Sequence, residues 1–205
     1  LDGINADDYS GLSVSSAGDV NGDGLDDLII GADDANPGGD SEAGESYVVF
    51  GKSGGFAAAI DLGTLDGTTG FRLDGIDAND NSGRSVSSAG DVNGDGFDDL
   101  IIGAPLYTNG QSEEGAMHIV FGGATGISSA SLQEVIESNL ANANLGAVIE
   151  SGQLSDDTKR DVVSTLNTGV LDQPVVYADT GAGFAGGLTS LNAGGSVIEF
   201  VAIGD

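Results

Sequence analysis

Asp19-Val20-Asn21-Gly22-Asp23-Gly24-Leu25-Asp26-Asp27 recurs almost unchanged 72 residues further on, as Asp91-Val92-Asn93-Gly94-Asp95-Gly96-Phe97-Asp98-Asp99. Oxygen-bearing side chains fall at positions 1, 3, 5 and 9 of each copy, with glycine at position 6. Alternate residues of such a loop point inward, and the glycine permits the sharp turn that wraps a hard cation. Calcium takes about six to eight oxygen ligands. The first copy offers Asp19, Asn21, Asp23 and Asp27, with the backbone carbonyl of Leu25 at position 7. The second offers Asp91, Asn93, Asp95 and Asp99, with the carbonyl of Phe97. Two Ca²⁺ sites are expected. Each gathers three carboxylates beside a fourth acid, Asp26 or Asp98, and without a cation such like charges raise one another's pKa.

The repeat extends well beyond the loops. Leu1–Ala32 matches Leu73–Ala104 at 32 positions with five differences: Asn5/Asp77, Asp7/Asn79, Tyr9/Asn81, Leu12/Arg84 and Leu25/Phe97. Val48-Val49-Phe50-Gly51 then answers to Ile119-Val120-Phe121-Gly122, one residue closer. The chain is a tandem duplication of one structural unit.

Each unit reads as β-structure. Ser13–Gly18 is a run of small residues suited to tight packing, and Asp27–Ala32 is a short apolar run that fits a central strand buried on both faces. The metal loop joins these two strands. Ser46–Gly51 and Phe71–Gly75 complete the unit; Ser85–Gly90, Asp99–Ala104 and Ala116–Gly122 begin the next. Lys52–Gly70 is a connector whose Ile60, Leu62 and Leu65 are expected to pack on the sheet. Asp33–Ala43 and Gln111–Glu114 read as solvated loops.

These residues resemble the FG-GAP repeat, the blade of the integrin α-subunit β-propeller and of bacterial integrin-like proteins. Phe50-Gly51 and Phe121-Gly122 supply the "FG"; Gly103-Ala104-Pro105 is a full "GAP" and Gly31-Ala32-Asp33 a degenerate one. The resemblance covers residues 1–123, as repeats over about 1–51 and 71–123. It implies four-stranded antiparallel blades, calcium in each loop and no catalytic activity. Rival loop families fail on the same residues. An EF-hand needs a bidentate Glu at position 12, where this chain has Ile30 and Ile102. Dockerin-type loops also want an acid there, followed by a helix. The glycine-rich nonapeptide arrays of secreted toxins are absent. Closed propellers have about four to eight blades, so two repeats leave an incomplete one. The unit at Leu1 lacks the Phe-Arg preceding Leu73, and a longer parent protein is expected.

From residue 124 the composition changes. Ser131-Leu132-Gln133-Glu134 matches a capping box, and Leu132, Val135, Ile136 and Leu140 share a helical face, which predicts a helix over 131–142. Ser155-Asp156-Asp157 predicts a second helix start, with Val162, Val163 and Leu166 as its stripe. Strands are expected over 170–178 and 196–203, with Pro174 restricting the first to an edge or bulge, and a glycine-rich turn over 180–187. The expected fold is mainly β: two propeller-type four-stranded blades, then a small α+β unit over 124–205.

The charge is extreme, with 33 acidic residues against 5 basic and a formal −28. Nucleic acid needs clustered Lys and Arg, so it is not an expected partner, and the same holds for anionic membrane surfaces. No apolar run reaches the ~20 residues of a membrane span. A cysteine-free, Asp/Gly-rich, acidic composition is common among large secreted bacterial proteins, and an extracellular or cell-surface location is expected. The single histidine, His118, lies in an apolar strand, and no cysteine is available as a nucleophile. Catalysis is not expected. The expected function is a calcium-stabilised extracellular structural or adhesion module. Its alternatives are a self-assembling surface-layer or filament subunit completed by other chains, and a propeller region of a larger secreted enzyme. The loops 33–43 and 105–115 differ most between copies and are the expected contact points for a protein or glycan ligand; a homo-oligomer is the other expected partnership.

Overall fold

The computed structural model describes residues 1–110, 112–124, 127, 132–137, 144–147, 149–152, 161–167, 172–177 and 189–190. Among these residues there are twelve strands, two single-turn 3-10 segments (Pro37–Gly39 and Leu62–Thr64) and no α-helix. The strands form three four-stranded antiparallel meanders. The first blade is β1 (Ser13–Gly18), β2 (Asp27–Ala32), β3 (Glu45–Val49) and β4 (Gly70–Asp74). The second is β5 (Ser85–Gly90), β6 (Asp99–Ala104), β7 (Ala116–Val120) and β8 (Leu132–Glu137). The third is β9 (Ile149–Gly152), β10 (Asp161–Asn167), β11 (Asp172–Tyr177) and β12 (Thr189–Ser190). Each strand pairs with its neighbour in sequence.

Burial explains why nearly identical segments form the blades. β1 and β5 share the sequence Ser-Val-Ser-Ser-Ala-Gly, yet β1 is half exposed and β5 wholly buried. β5 is packed between β1 and β9, and its small side chains let three strands approach closely. Ala17, Ile29, Val48, Phe71 and Leu73 of the first blade pack on Val86, Leu100, Ile102 and Val120 of the second. The opposite face of the second blade, with Ala89, Ile101, Met117 and Ile119, packs on Leu145 and Ile149. The connector behaves as expected: Ile60, Leu62 and Leu65 cover Ile30, Tyr47 and Val49.

Where the blades meet, backbone touches backbone. A Cβ on Gly31 would lie 1.9 Å from the Gly83 carbonyl oxygen, and one on Gly103 would lie 2.0 Å from that of Gly146. The same contact therefore recurs one blade on. Asn81 and Asn144 both have positive φ, 52° and 50°, and donate their amides to the equivalent carbonyls of Glu42 and Glu113. Asn144-Leu145-Gly146 thus opens a third unit as Asn81-Ser82-Gly83 opens the second.

The expected helices are corrected. Residues 132–137 are β8, paired with β7 from Ala116↔Glu137 to Val120↔Leu132. Val162, Val163 and Leu166 belong to β10, between β9 and β11. The described part of the tail is therefore β rather than α+β. The physical reason is the open edge of β7, whose unpaired N–H and C=O groups require a partner strand; six residues with apolar positions at i, i+3 and i+4 do not by themselves separate the two periods. The expected strand over 170–178 is β11. Pro174 lies in a strand with neighbours on both sides, but β12 pairs only with Val175 and Val176, so it stops short of the proline. The glycine-rich turn over 180–187 and the strand over 196–203 lie outside the described residues.

Candidate metal loops

Each loop leaves its first strand through a register shift, between Ser16 and Gly18 in one blade and between Ser88 and Gly90 in the other. Three glycines in each loop take positive φ: Gly18, Gly22 and Gly24, and likewise Gly90, Gly94 and Gly96. The loop then closes around its position-1 carboxylate. Asp19 Oδ1 accepts from the amides of Gly22 (2.8 Å) and Asp23 (3.0 Å), and Oδ2 from Gly24 (2.9 Å). Asn21 Oδ1 accepts from the Asp23 amide and Asp23 Oδ1 from that of Leu25, both at 2.9 Å. Asp91, Asn93, Asp95 and Phe97 repeat every one of these bonds.

Position 9 does different work. Asp27 is 3% exposed and Asp99 fully buried. Asp27 accepts from the amides of Val20 and Gly51, and Asp99 from those of Val92 and Gly122. The glycine of each "FG" therefore ties the third strand to the loop. Burial pushes both carboxyls up to about 6. For Asp27 those two amides oppose the rise, while the charges of Asp23 and Asp19 add to it; for Asp99 the added charge is Asp95.

The donors at positions 1, 3, 5 and 9 are thus gathered on one short loop over one buried carboxyl. As placed, no three carboxylate or imidazole groups among the described residues form a metal cluster, because their oxygens face the loop's own amides. The chemistry of the donor set fits a hard cation: it is all oxygen, and charges from Asp19 and Asp23 already act on Asp27. The third unit differs in sequence. Counting back from Asp161, which pairs with Gly152 as Asp99 does with Gly90, the corresponding positions hold Gln153, Ser155 and Asp157, with Thr158 in place of glycine.

Two acids expected in solvated loops are not solvated. Asp33 is 1% exposed and paired with Arg84 of the next blade, and Glu114 is fully buried, accepting from the Asn109 amide at 2.6 Å. His118 is buried, with its ring edge-on to Tyr107, and burial pushes it down to about 4. Burial therefore keeps its imidazole uncharged near neutral pH. Sequence reasoning missed two contacts that cross the blade seam, Arg84–Asp33 and Asp98–Asp19. Leu12 standing where Arg84 does, and Pro105 where Asp33 does, were the visible signals for the first; Asp98 is repeated as Asp26 and carried no signal.

The FG-GAP repeat family model matches residues 10–49 and 82–120. The chain is 36% identical to integrin alpha-5 of Xenopus laevis over 125 residues, covering 59% of this chain and 11% of that protein. It is 35% identical to integrin alpha-PS2 of Drosophila melanogaster over 123 residues, 58% and 8% of the two chains. It is 30% identical to phosphatidylinositol-glycan-specific phospholipase D of Rattus norvegicus over 151 residues, 73% and 18%. The chain spans between 8% and 18% of the length of these relatives. Among the described residues no helix is long and apolar enough to cross a membrane. Residues 10–49 and 82–120 are thus two FG-GAP repeats of the propeller type, each lying in a four-stranded blade with its loop between the first two strands.

Proposed function

We propose that this chain is a calcium-stabilised, non-catalytic extracellular module for structure or adhesion, with one Ca²⁺ in each of its first two blades. Asp19, Asn21, Asp23, Asp27 and the Leu25 carbonyl hold the first ion; Asp91, Asn93, Asp95, Asp99 and the Phe97 carbonyl hold the second. The observation that carries this reading is the buried position-9 carboxyl. Asp27 and Asp99 join the loop to the third strand through Gly51 and Gly122, so an ion on that carboxylate links three strands. The ion would supply charge neutralisation and strand clasping, not chemistry on a substrate. The integrin alpha relatives support an extracellular setting and a protein partner. The exposed stretches of loops 33–43 and 105–115 offer the contact surface. A calorimetric titration with calcium tests the reading: saturable binding of two ions per chain is expected, with Kd about 10⁻⁴–10⁻³ M as in other extracellular modules. An absence of saturable heat contradicts it.

A second reading concerns assembly, and one observation favours it. Val14 is 50% exposed while its counterpart Val86 is 4% exposed beneath the first blade. Tyr9 and Leu12 lie exposed beside Val14. This is the face that a preceding blade covers in the second unit, and a blade from another chain would fit it. Light scattering in calcium and in EDTA tests this: a calcium-dependent oligomer supports it and a strict monomer opposes it. The phospholipase D relatives support the third alternative, a propeller region within a larger secreted enzyme.

A further inference from the structure

Asp26 and Asp98 occupy the same place in the two repeats, position 8 of the loop, and their surroundings differ. Asp98 Oδ2 accepts the backbone amide of Asp19 at 2.7 Å. The Asp98 amide donates back to the Asp19 carbonyl at 3.1 Å. One residue of the second blade therefore grips position 1 of the first loop at both its amide and its carbonyl. Two neighbours extend the grip. The Gly123 amide donates to the Val20 carbonyl at 2.9 Å. The Phe97 ring lies so close to Gly22 that a Cβ there would stand 2.5 Å from Cε1. Asp26, by contrast, is exposed, and its carboxylate makes no hydrogen bond among the described residues.

We propose that Asp98 is a positioning residue for the first cation loop: through the Asp19 backbone it presets the ligand at position 1, so that the first site depends on the second blade. Asp26 has no corresponding role. This rests on the calcium reading of the loops. The physical basis is preorganisation. A carboxylate accepting a backbone N–H at 2.7 Å is a strong, charge-assisted bond, and groups that orient a metal ligand from outside the coordination sphere change metal affinity by about 10–100-fold. The Asp98 carboxylate faces a polar cavity of about 250 Å³ that Ser15, Ser16, Asp26, Ser87 and Ser88 also line. Its own charge adds to the field at the first loop, so charge and positioning must be separated by experiment.

Four variants of the full chain do so: Asp98→Ala, Asp98→Ser, Asp98→Asn and Asp26→Ala. Calcium chloride is titrated while NMR follows the amides of Gly24 and Gly96, one reporter for each loop, and hydrogen exchange of the Asp19 amide is measured without calcium. Asp98→Ala is expected to weaken the first site about tenfold, leave the second within twofold and speed Asp19 exchange. Asp98→Ser, whose hydroxyl is too short to reach, is expected to do the same and serves if the alanine variant does not fold. Asp98→Asn loses the charge but keeps an acceptor, and is expected to stay within twofold of wild type. Asp26→Ala is expected to change neither site. An Asp26→Ala variant that weakens the first site as much as Asp98→Ala does would reduce the matter to charge near that loop and overturn the proposal. An asparagine variant as weak as the alanine variant, or Asp19 exchange that does not change, would overturn it equally. Calcium moving neither glycine amide in the wild type would overturn the calcium reading and the proposal together. Movement of both with no difference among variants would overturn the proposal alone.

Discussion

Arg84 reaches across the seam between the first two blades and sets Nη1 at 2.7 Å from Oδ2 of Asp33, a carboxylate that is 1% exposed. Both residues are departures from the repeat. Arg84 stands where the first unit has Leu12, and Asp33 where the second has Pro105. Asn81, which replaces Tyr9, joins them by donating to the Asp33 carbonyl and the Asp34 carboxylate. The differences between the copies thus collect at the surface where one copy meets the other.

Replacing Arg84 by Leu, its counterpart, leaves Asp33 buried beside no cation. A fully buried pair broken in this way costs about 3–5 kcal/mol. Arg84 is half in solvent, so about 2 kcal/mol is expected here. The double variant Arg84→Leu/Asp33→Asn removes the stranded charge and is expected to recover about half of the loss. Urea melts of the four proteins in the cycle give the coupling directly.

The glycines at the seam are expected to be intolerant for a steric reason. Gly31→Ala brings a methyl group to 1.9 Å from a backbone oxygen that cannot swing aside, and a loss of about 3 kcal/mol is expected. Gly54→Ala, in the connector, meets nothing within 4 Å and is expected to change stability by less than about 0.5 kcal/mol. Thermal or urea midpoints of the two variants check this contrast.

His118 makes stability depend on pH with a definite sign. Its folded value is pushed down to about 4 by burial, below the 6.5 of a free imidazole. Between those values the unfolded chain binds more protons, so this residue removes stability as pH falls from 6.5 toward 4, by up to about 3 kcal/mol. Asp80 acts in the opposite sense. Burial, with Asp77 nearby, pushes it up to about 6, so acidification below 6 adds stability through it. His118→Phe is therefore expected to gain on the wild type as pH falls from 7 to 4, and Asp80→Asn to lose ground over the same range. Denaturant midpoints at several pH values separate the two.

Positions 5 and 9 of the loops are expected to respond differently to calcium. Asp27→Ala strands the amides of Val20 and Gly51, and a loss of about 2 kcal/mol is expected even in EDTA. Asp23 is exposed and bonded within its own loop. Asp23→Ala is expected to cost under about 1 kcal/mol in EDTA and to abolish the gain from calcium at the first loop. Melting each variant with and without calcium distinguishes the roles.

Much of the first two blades was legible because a repeat states its own boundaries. The 32-position match at an offset of 72 placed β1, β2, β5 and β6, and the small residues suited to tight packing find it in Ser85–Gly90, which is buried, but not in Ser13–Gly18, which is half exposed. Asp27 was legible as a loop member but not as the residue that ties Gly51 to the loop, since that bond joins residues 24 apart. The tail was misread where a short segment fits two periods at once. Leu132, Val135 and Ile136 suit a helix locally, and only the open edge of β7 makes them a strand. The third blade stayed hidden because its loop has lost the acidic pattern. Its marker is a backbone contact, Gly103 against Gly146, that composition does not record. Asp98 was silent for the opposite reason: its sequence is the same as that of Asp26, and only its neighbour differs.

The central claim is that calcium holds these blades together, and the thermal midpoint of the full chain in excess calcium and in EDTA tests it most directly. Two sites at a hundredfold excess over Kd contribute about 2.7 kcal/mol each, which for a chain of this size raises the midpoint by about 10 °C or more. A rise of that order, saturating with calcium and removed by EDTA, is the predicted result; a midpoint that stays the same in both buffers would contradict the account.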